Sequence, residues 1–498
     1  MGQPPDQQPG PERRVRRPLL RNEIVSQALL DPDDRAAIGL PVGQPDNPDP
    51  ALPVVIELNL QYPDGLDAVT ERFAAKWAAI VGTPVPEQTA DLYYCAELTV
   101  TQVKALVEDD LRNQVPATRV VYRVWPDFPV QPLIDRSGST VKADAAFRSY
   151  AAAGHGVTWA VLDSGIDQQH PHFKQYGTLL GEVAHLHRDF TDPDGKGDPL
   201  SDGMGHGTHV AGIIAGGLAP RARGVRVLQQ LQDPDNPKGT TTHQRKVDPV
   251  LLSGLAPHAK LVSLKVLDDQ GRGSSMNIVR ALEHIRTKIN GPKLMRVHGV
   301  NLSVGYEFDP KWFACGQSPL CVAVNRLVRS GVVVVVAAGN TGYGTLSSIQ
   351  RQTSVGFTMT INDPGNAELP ITVGATHRDM PHTYGVSYFS SKGPTGDGRA
   401  KPDLVAPGER ITSCAAGDAL AGVGGKPGEA VYVEDSGTSM AAPHVSGAIA
   451  AFLSIRQEFV GQPVQVKDIF TRSATTLGRE RYFEGHGLVD LMRAIQSV

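Results

Sequence analysis

The chain is predicted to be an α/β protein with a mostly parallel sheet covered by helices on both faces, preceded by a small α/β sandwich domain. Three observations lead there. Near-continuous apolar runs at Val157–Leu162, Lys260–Val266, Val300–Val304 and Val332–Ala338 read as buried strands. Helical patterns separate several of them; Ile278, Leu282, Ile285 and Ile289 share one helix face. Upstream, β-α-β-α-β alternation fits into the short segment 52–128.

Residues 1–51 hold many prolines and mixed charges without a periodic apolar pattern. Such a segment buries too little surface to offset its ordering entropy, so a disordered tail is expected. In 52–128, Val54–Leu60, Leu92–Leu98 and Val120–Trp125 read as strands. Gly65–Val81 reads as a helix with Val69, Phe73, Trp77 and Ile80 on one face, and Thr101–Leu111 as another with Val103, Leu106, Val107 and Leu111 together. Pro126, Pro129 and Pro132 open a linker over 129–140. The main domain then spans 141–498. It is interrupted at 218–253 by a polar, basic insertion carrying Arg221, Arg223, Arg226, Lys238, Arg245 and Lys246, longer than an ordinary connection.

Composition excludes several classes. The chain has 498 residues, with Lys+Arg 48 against Asp+Glu 52, so nothing drives it toward nucleic acid or an anionic membrane. The longest fully apolar run, Val332–Ala338, is far too short for a membrane helix. Arg13, Arg14, Arg16 and Arg17 precede no apolar h-region, so a soluble, cytoplasmic protein is expected. Four cysteines, Cys95, Cys315, Cys321 and Cys414, are too few for a disulfide framework, although Cys315 and Cys321 are close enough in sequence to pair. No Cys/His cluster has zinc spacing.

Ligands of open α/β sheets sit beyond the carboxyl ends of the strands, so chemistry is sought there. Asp163 ends the first strand of the main domain. A carboxylate there can orient a histidine; alone it is also an ordinary turn residue. His206 opens a small-residue helical stretch, Gly207-Thr208-His209-Val210-Ala211-Gly212. His206 and His209 have no neighbouring carboxylate that would complete a zinc helix. Ser439, in Ser436-Gly437-Thr438-Ser439-Met440-Ala441-Ala442-Pro443-His444, falls at the start of a buried helix, with Pro443 placed near its first turn. Backbone N–H groups there favour an oxyanion. Asn340 closes the strand Val332–Ala338, where its amide can donate to developing negative charge.

Together, in the order Asp, His, Asn, Ser, these motifs resemble the subtilisin-like serine proteases, the subtilase family. The resemblance covers about 140–498 and rests on Val161-Leu162-Asp163-Ser164-Gly165, His206 to Gly212, Ala337-Ala338-Gly339-Asn340 and Gly437 to Pro443. Leu255-Ala256-Pro257, Ile371 to Ala375, Phe389-Ser390-Ser391 and Pro402 to Gly408 add to it. It implies a serine endopeptidase with Asp163, His206 and Ser439 as catalytic triad and Asn340 at the oxyanion. It implies that Gly271-Arg272-Gly273 and Ser303-Val304-Gly305 flank a peptide substrate as added strands. Arg272 is a candidate for an acidic substrate residue, with a solvated arginine the alternative. Residues 341–370 depart from the compact family pattern, so the primary specificity pocket is not legible.

The resemblance requires no cofactor. Calcium is its optional ligand, and Asp189, Asp192, Asp194, Asp198 and Asp202 are the run to test for it, against a plain solvated acidic turn. Segment 52–128 is similar to the family's inhibitory propeptide, with Phe128–Asp135 as the stretch expected in the cleft; a permanent N-terminal domain that binds a partner is the alternative. The expected partners are a protein or peptide substrate and a regulatory protein, with no nucleic acid and no membrane. An exopeptidase, a peptide ligase and a non-catalytic binding scaffold are the competing readings.

Overall fold

A computed structural model describes residues 24–32, 35, 40–44, 46–86, 88–90, 92–112, 115–126, 137–192, 196–220, 222–233, 236–291, 294–309, 314–347 and 352–498. The chain forms two compact units, Met1–Val130 and Gln131–Val498.

In the first unit four strands pair antiparallel in the order Gln88–Ala90, Tyr93–Leu98, Leu52–Leu58, Val121–Pro126. Leu52, Val54, Ile56 and Leu58 alternate inward, as the two-residue period of a strand requires. They meet Val69, Phe73 and Trp77 of the helix Gly65–Ile80 and Val103, Leu106 and Val107 of the helix Val100–Arg112. Part of the expected tail departs from disorder. Ile24, Val25, Leu29 and Leu40 are buried in this core. Ser26 N–H donates to Val124 O at 3.0 Å and Val124 N–H to Ile24 O at 2.7 Å. The edge strand Val121–Pro126 has unpaired backbone groups, and residues 24–26 satisfy them. The tail's residues 1–23 lie outside the described residues.

The second unit is built on seven strands, all parallel. Their order is Leu404–Glu409, Ile371–His377, Val333–Ala337, Gly299–Leu302, Thr158–Asp163, Lys260–Lys265, Arg188–Asp189. Both faces are covered. Trp159, Val161, Val333 and Val335 pack with the helices His206–Ile214 and Thr438–Ile455. Ala160, Leu162, Val334 and Val336 pack on the other side with the helices Ser275–His284 and Pro319–Arg329. Alternate residues of one strand thus feed two apolar layers, which is why the strands read as continuous apolar runs. Thr438–Ile455 is the one helix among the described residues that is long and apolar enough to cross a membrane, and 83% of it is buried inside the fold.

The expected insertion 218–253 is not one long loop. Arg226–Asp233 and Asn236–Arg245 form an antiparallel hairpin, and the first of these strands pairs parallel with Val431–Asp435. Its strands are mostly polar and lack the apolar alternation that signals a strand in a sequence. A second hairpin, Tyr343–Ser347 with Gln352–Gly356, lies in the stretch 341–370.

Candidate active site

The loops at the carboxyl ends of the parallel strands bring four distant segments together. Asp163 is the last residue of its strand and is buried. His206 is the first residue of the helix His206–Ile214. Gly205 before it has φ of +91°, and a Cβ there would meet Ala416 O at 2.2 Å, so the turn into this helix needs glycine. A Cβ on Gly207 would meet Gly165 O at 2.2 Å and Asp163 Cβ at 3.0 Å, so glycine lets helix and strand end approach closely. His206 Nδ1–H donates to Asp163 Oδ1 at 2.7 Å. Asp163 Oδ1 also accepts Ser164 N–H at 2.8 Å.

Burial would by itself lower the His206 pKa. The adjacent Asp163 carboxylate outweighs it, helped by Asp435 and Asp202, and holds the imidazole up at about 9. His209, one turn on, is deeply buried; burial lowers its pKa, and its Nε2 bonds Val433 O at 3.2 Å. It is a core histidine, not half of a metal pair.

Ser439 is the second residue of the helix Thr438–Ile455. Its Oγ–H donates to Ser303 O at 3.0 Å. Among the described residues no hydrogen bond joins it to His206, although both line one cavity of about 360 Å³. Pro443 stands at the sixth helical position, not near the first turn. Proline has no N–H, so the Ser439 carbonyl four residues earlier loses its helical donor. The Ser303 hydroxyl replaces it, donating to Ser439 O at 2.8 Å.

Asn340 follows the strand Val333–Ala337 and also lines the cavity. Its Oδ1 accepts Thr438 N–H at 2.9 Å and Thr438 Oγ–H at 3.0 Å. Two donors on one oxygen fix the amide orientation and leave Nδ2 as a free donor pair. Thr438 had no role in the sequence reading; only its contact with Asn340 gives it one.

Gly271, Ser303, Val304 and Gly305 line the same cavity, together with Met204, Gly339, Asn362 and Asp363. Arg272 and Gly273 do not. The Arg272 guanidinium pairs with Asp268 at 3.0 Å and stays largely exposed. Carboxylates of the acidic run are engaged by protein donors. Both oxygens of Asp202 accept N–H and O–H donors, Asp189 Oδ1 accepts Thr191 N–H at 2.7 Å, and Asp192 Oδ2 accepts Lys196 N–H at 2.8 Å. Asp194 lies outside the described residues, and among those described no three acidic, His or Cys groups form a metal cluster. All four cysteines are free thiols, Cys315 and Cys321 included.

Known proteins agree with this architecture. The family model described as Subtilase family matches residues 154–488. Subtilisin E of Bacillus subtilis (strain 168) is 30% identical over 358 residues, covering 72% of this chain and 70% of the relative. Subtilisin of Bacillus pumilus is 30% identical, covering 72% of this chain and 97% of the relative. Intracellular serine protease of Paenibacillus polymyxa is 31% identical, covering 72% and 85%. A parallel sheet with helices on both faces, the matched motif order and these relatives lead to one conclusion: the chain belongs to the subtilase family and is a subtilisin-like serine endopeptidase acting on protein or peptide substrates.

Proposed function

We propose that the chain hydrolyses peptide bonds through Asp163, His206 and Ser439, with an acyl-enzyme on Ser439. The observation that carries this is the 2.7 Å bond from His206 Nδ1–H to Asp163, made while His206 and Ser439 line one cavity. That bond fixes the tautomer in which Nε2 is the free base. For reaction the Ser439 hydroxyl must leave Ser303 O and give its proton to that nitrogen. Ser439 Oγ then attacks the scissile carbonyl carbon and its proton passes to His206 Nε2. The oxyanion accepts Asn340 Nδ2–H and Ser439 N–H. The C–N bond breaks as His206 returns the proton to the departing amine, and water repeats the sequence on the ester.

A substrate laid as an extended strand beside Ser303–Gly305 brings N–H groups that compete for Ser303 O, the acceptor the Ser439 hydroxyl holds at rest. Gly271, Arg272 and Gly273 would flank the opposite side through their backbone. No step passes through calcium.

The unit over residues 52–128 restrains the peptidase, as a propeptide would. Its support is its separate core, its β-α-β-β-α-β order and its position before residue 154, where the family match begins. The expected cleft segment Phe128–Asp135 lies outside the described residues. A cytoplasmic setting, and with it control by a regulatory partner, is supported by the four free thiols and by the relative named Intracellular serine protease.

The test is to incubate the full chain and its Ser439→Ala variant, follow intact mass, and add a fluorophosphonate probe. Labelling of the parent alone, with loss of an N-terminal fragment, supports both parts. Equal labelling of the two proteins sinks the triad. A parent that is labelled yet stays whole sinks the cleaved-propeptide part.

A further inference from the structure

A second carboxylate stands behind the Asp163–His206 pair. Asp202 is only 5% exposed. Its Oδ1 accepts Ser164 Oγ–H and Gly205 N–H, each at 2.8 Å. Its Oδ2 accepts Thr208 N–H at 2.8 Å and Thr208 Oγ–H at 2.6 Å. The Ser164 hydroxyl, having given its one proton to Asp202, accepts Gly207 N–H at 3.0 Å. The Ser164 N–H donates to Asp163. These bonds run without a gap from the strand end that carries Asp163 to the helix start that carries His206.

Part of this is ordinary helix capping. The N-cap position is Gly205, which has no side chain, and the N–H groups of Gly207 and Thr208 have no partner within the helix. Asp202 and Ser164 supply those partners. Capping alone does not need the Ser164 hydroxyl to bridge to Asp202, nor a charged acceptor at so buried a point, where burial pushes the Asp202 carboxyl above the usual carboxylate range. A neutral cap would avoid that cost.

We propose that Asp202 is a positioning residue: acting through Ser164, it sets the spacing of Asp163 and His206, and its charge favours the imidazolium formed during the reaction. The inference rests on the triad reading above. The charged groups facing His206 are Asp163, Asp202 and Asp435, and His209 lies near it, held neutral by burial. Asp202 is therefore one of three negative charges acting on the base, and the one that is hydrogen-bonded through Ser164 to the strand end carrying Asp163.

The test uses the full chain with Asp202→Asn and Ser164→Ala. The readouts are melting temperature and the inactivation rate constant and half-saturating concentration of a fluorophosphonate probe across pH. An Asn at 202 keeps one acceptor oxygen and turns its N–H₂ group toward the other pair of donors, so either the Ser164 and Gly205 bonds or the two Thr208 bonds are lost and the frame between strand end and helix start is disturbed. Asp202→Asn is expected to lower the maximal inactivation rate by about 10²-fold, the cost of slight misplacement of reacting groups. Half-saturation should stay within about twofold, because ground-state binding is untouched. The pH midpoint should move down, since a negative charge has gone. Ser164→Ala should lower the rate while leaving the midpoint in place, since Asp202 keeps its charge. A folded Ser164→Ala protein with the parent's rate overturns the proposal, whether or not Asp202→Asn folds. A folded Asp202→Asn protein that loses melting temperature alone, with rate and midpoint unchanged, also overturns it and reduces Asp202 to a cap. If Ser439→Ala still takes up the probe, the triad reading itself falls and the inference with it.

Discussion

Ser303 and Ser439 exchange hydrogen bonds in both directions: Ser303 Oγ–H donates to Ser439 O at 2.8 Å and Ser439 Oγ–H donates to Ser303 O at 3.0 Å. The first bond exists because Pro443 withholds the N–H that a regular helix would send to Ser439 O. Behind it, Asn301 Nδ2–H donates to Ser303 Oγ at 2.9 Å and Ser446 Oγ–H to Asn301 Oδ1 at 2.9 Å. The candidate nucleophile is thus held by a buried polar chain anchored on the central strand. Ser303→Ala leaves the part-buried Ser439 carbonyl without this donor, a loss of about 1 kcal/mol. We expect a lower melting temperature and a fall in kcat of less than about tenfold, since no reacting atom is removed. An unchanged melting temperature would show that the bond contributes nothing.

Asn340→Ala removes an amide whose Oδ1 anchors Thr438 and whose Nδ2 is free toward the cavity. The expected result is a kcat lower by about 10²–10³-fold with KM little changed, because the donor acts on charge present only in the transition state. A rise in KM at constant kcat would instead assign Asn340 to substrate binding.

His206 must be neutral to accept a proton. Burial alone would lower its pKa, but Asp163 above all, with Asp435 and Asp202, raises it to about 9. Activity of the free enzyme, read as kcat/KM, should therefore climb through neutral pH and level off only above about 9. The sign for folding is separate. A histidine raised in the folded state contributes stability that is full below its unfolded pKa of about 6.5 and is lost as pH rises through about 9. A flat kcat/KM profile from about pH 6 to about pH 9 would contradict the charge environment drawn for His206.

Three buried histidines act at the acid end. Burial lowers the pKa of His172 to about 3 and those of His170 and His444 to about 4. They are neutral in the fold and accept protons at about 6.5 once unfolded. The unfolded chain binds more protons below that pH, so this stability is present above about 6.5 and is lost as pH falls toward 4. His172 Nδ1 meets the Tyr432 hydroxyl at 3.0 Å and its Nε2 meets Ala215 O at 3.1 Å, so protonation cannot be relieved by water. Thermal melts between about pH 7 and pH 4 should show a falling midpoint, with a slope of at most about 4 kcal/mol per pH unit for three groups. His172→Gln should flatten that slope, and an equal slope in the variant would remove His172 from the account.

Much of the architecture was legible in advance. Alternation along Thr158–Asp163 feeds two apolar layers, and such a strand has a composition that no half-exposed strand shares. The positions of Asp163 at a strand end and of His206 and Ser439 at helix starts followed from where apolar periodicity begins and stops. The hairpin Arg226–Asp233 with Asn236–Arg245 was missed because its strands lack an apolar pattern to signal them. The burial of Ile24, Val25, Leu29 and Leu40 was missed because the segment is short and its partner, an unpaired strand edge, is far along the chain.

By itself, the sequence determined the α/β class, the motif order and the family, because apolar periodicity and glycine placement are local properties of the chain. Tertiary structure alone decided which donors meet which acceptors. Asp202 looked like one more carboxylate in an acidic run until Ser164, Gly205 and Thr208 closed around it. The Ser303–Ser439 pair joins residues 136 apart. Hydrogen bonds depend on tenths of an ångström between groups that folding brings together, and spacing along a chain carries no record of that distance.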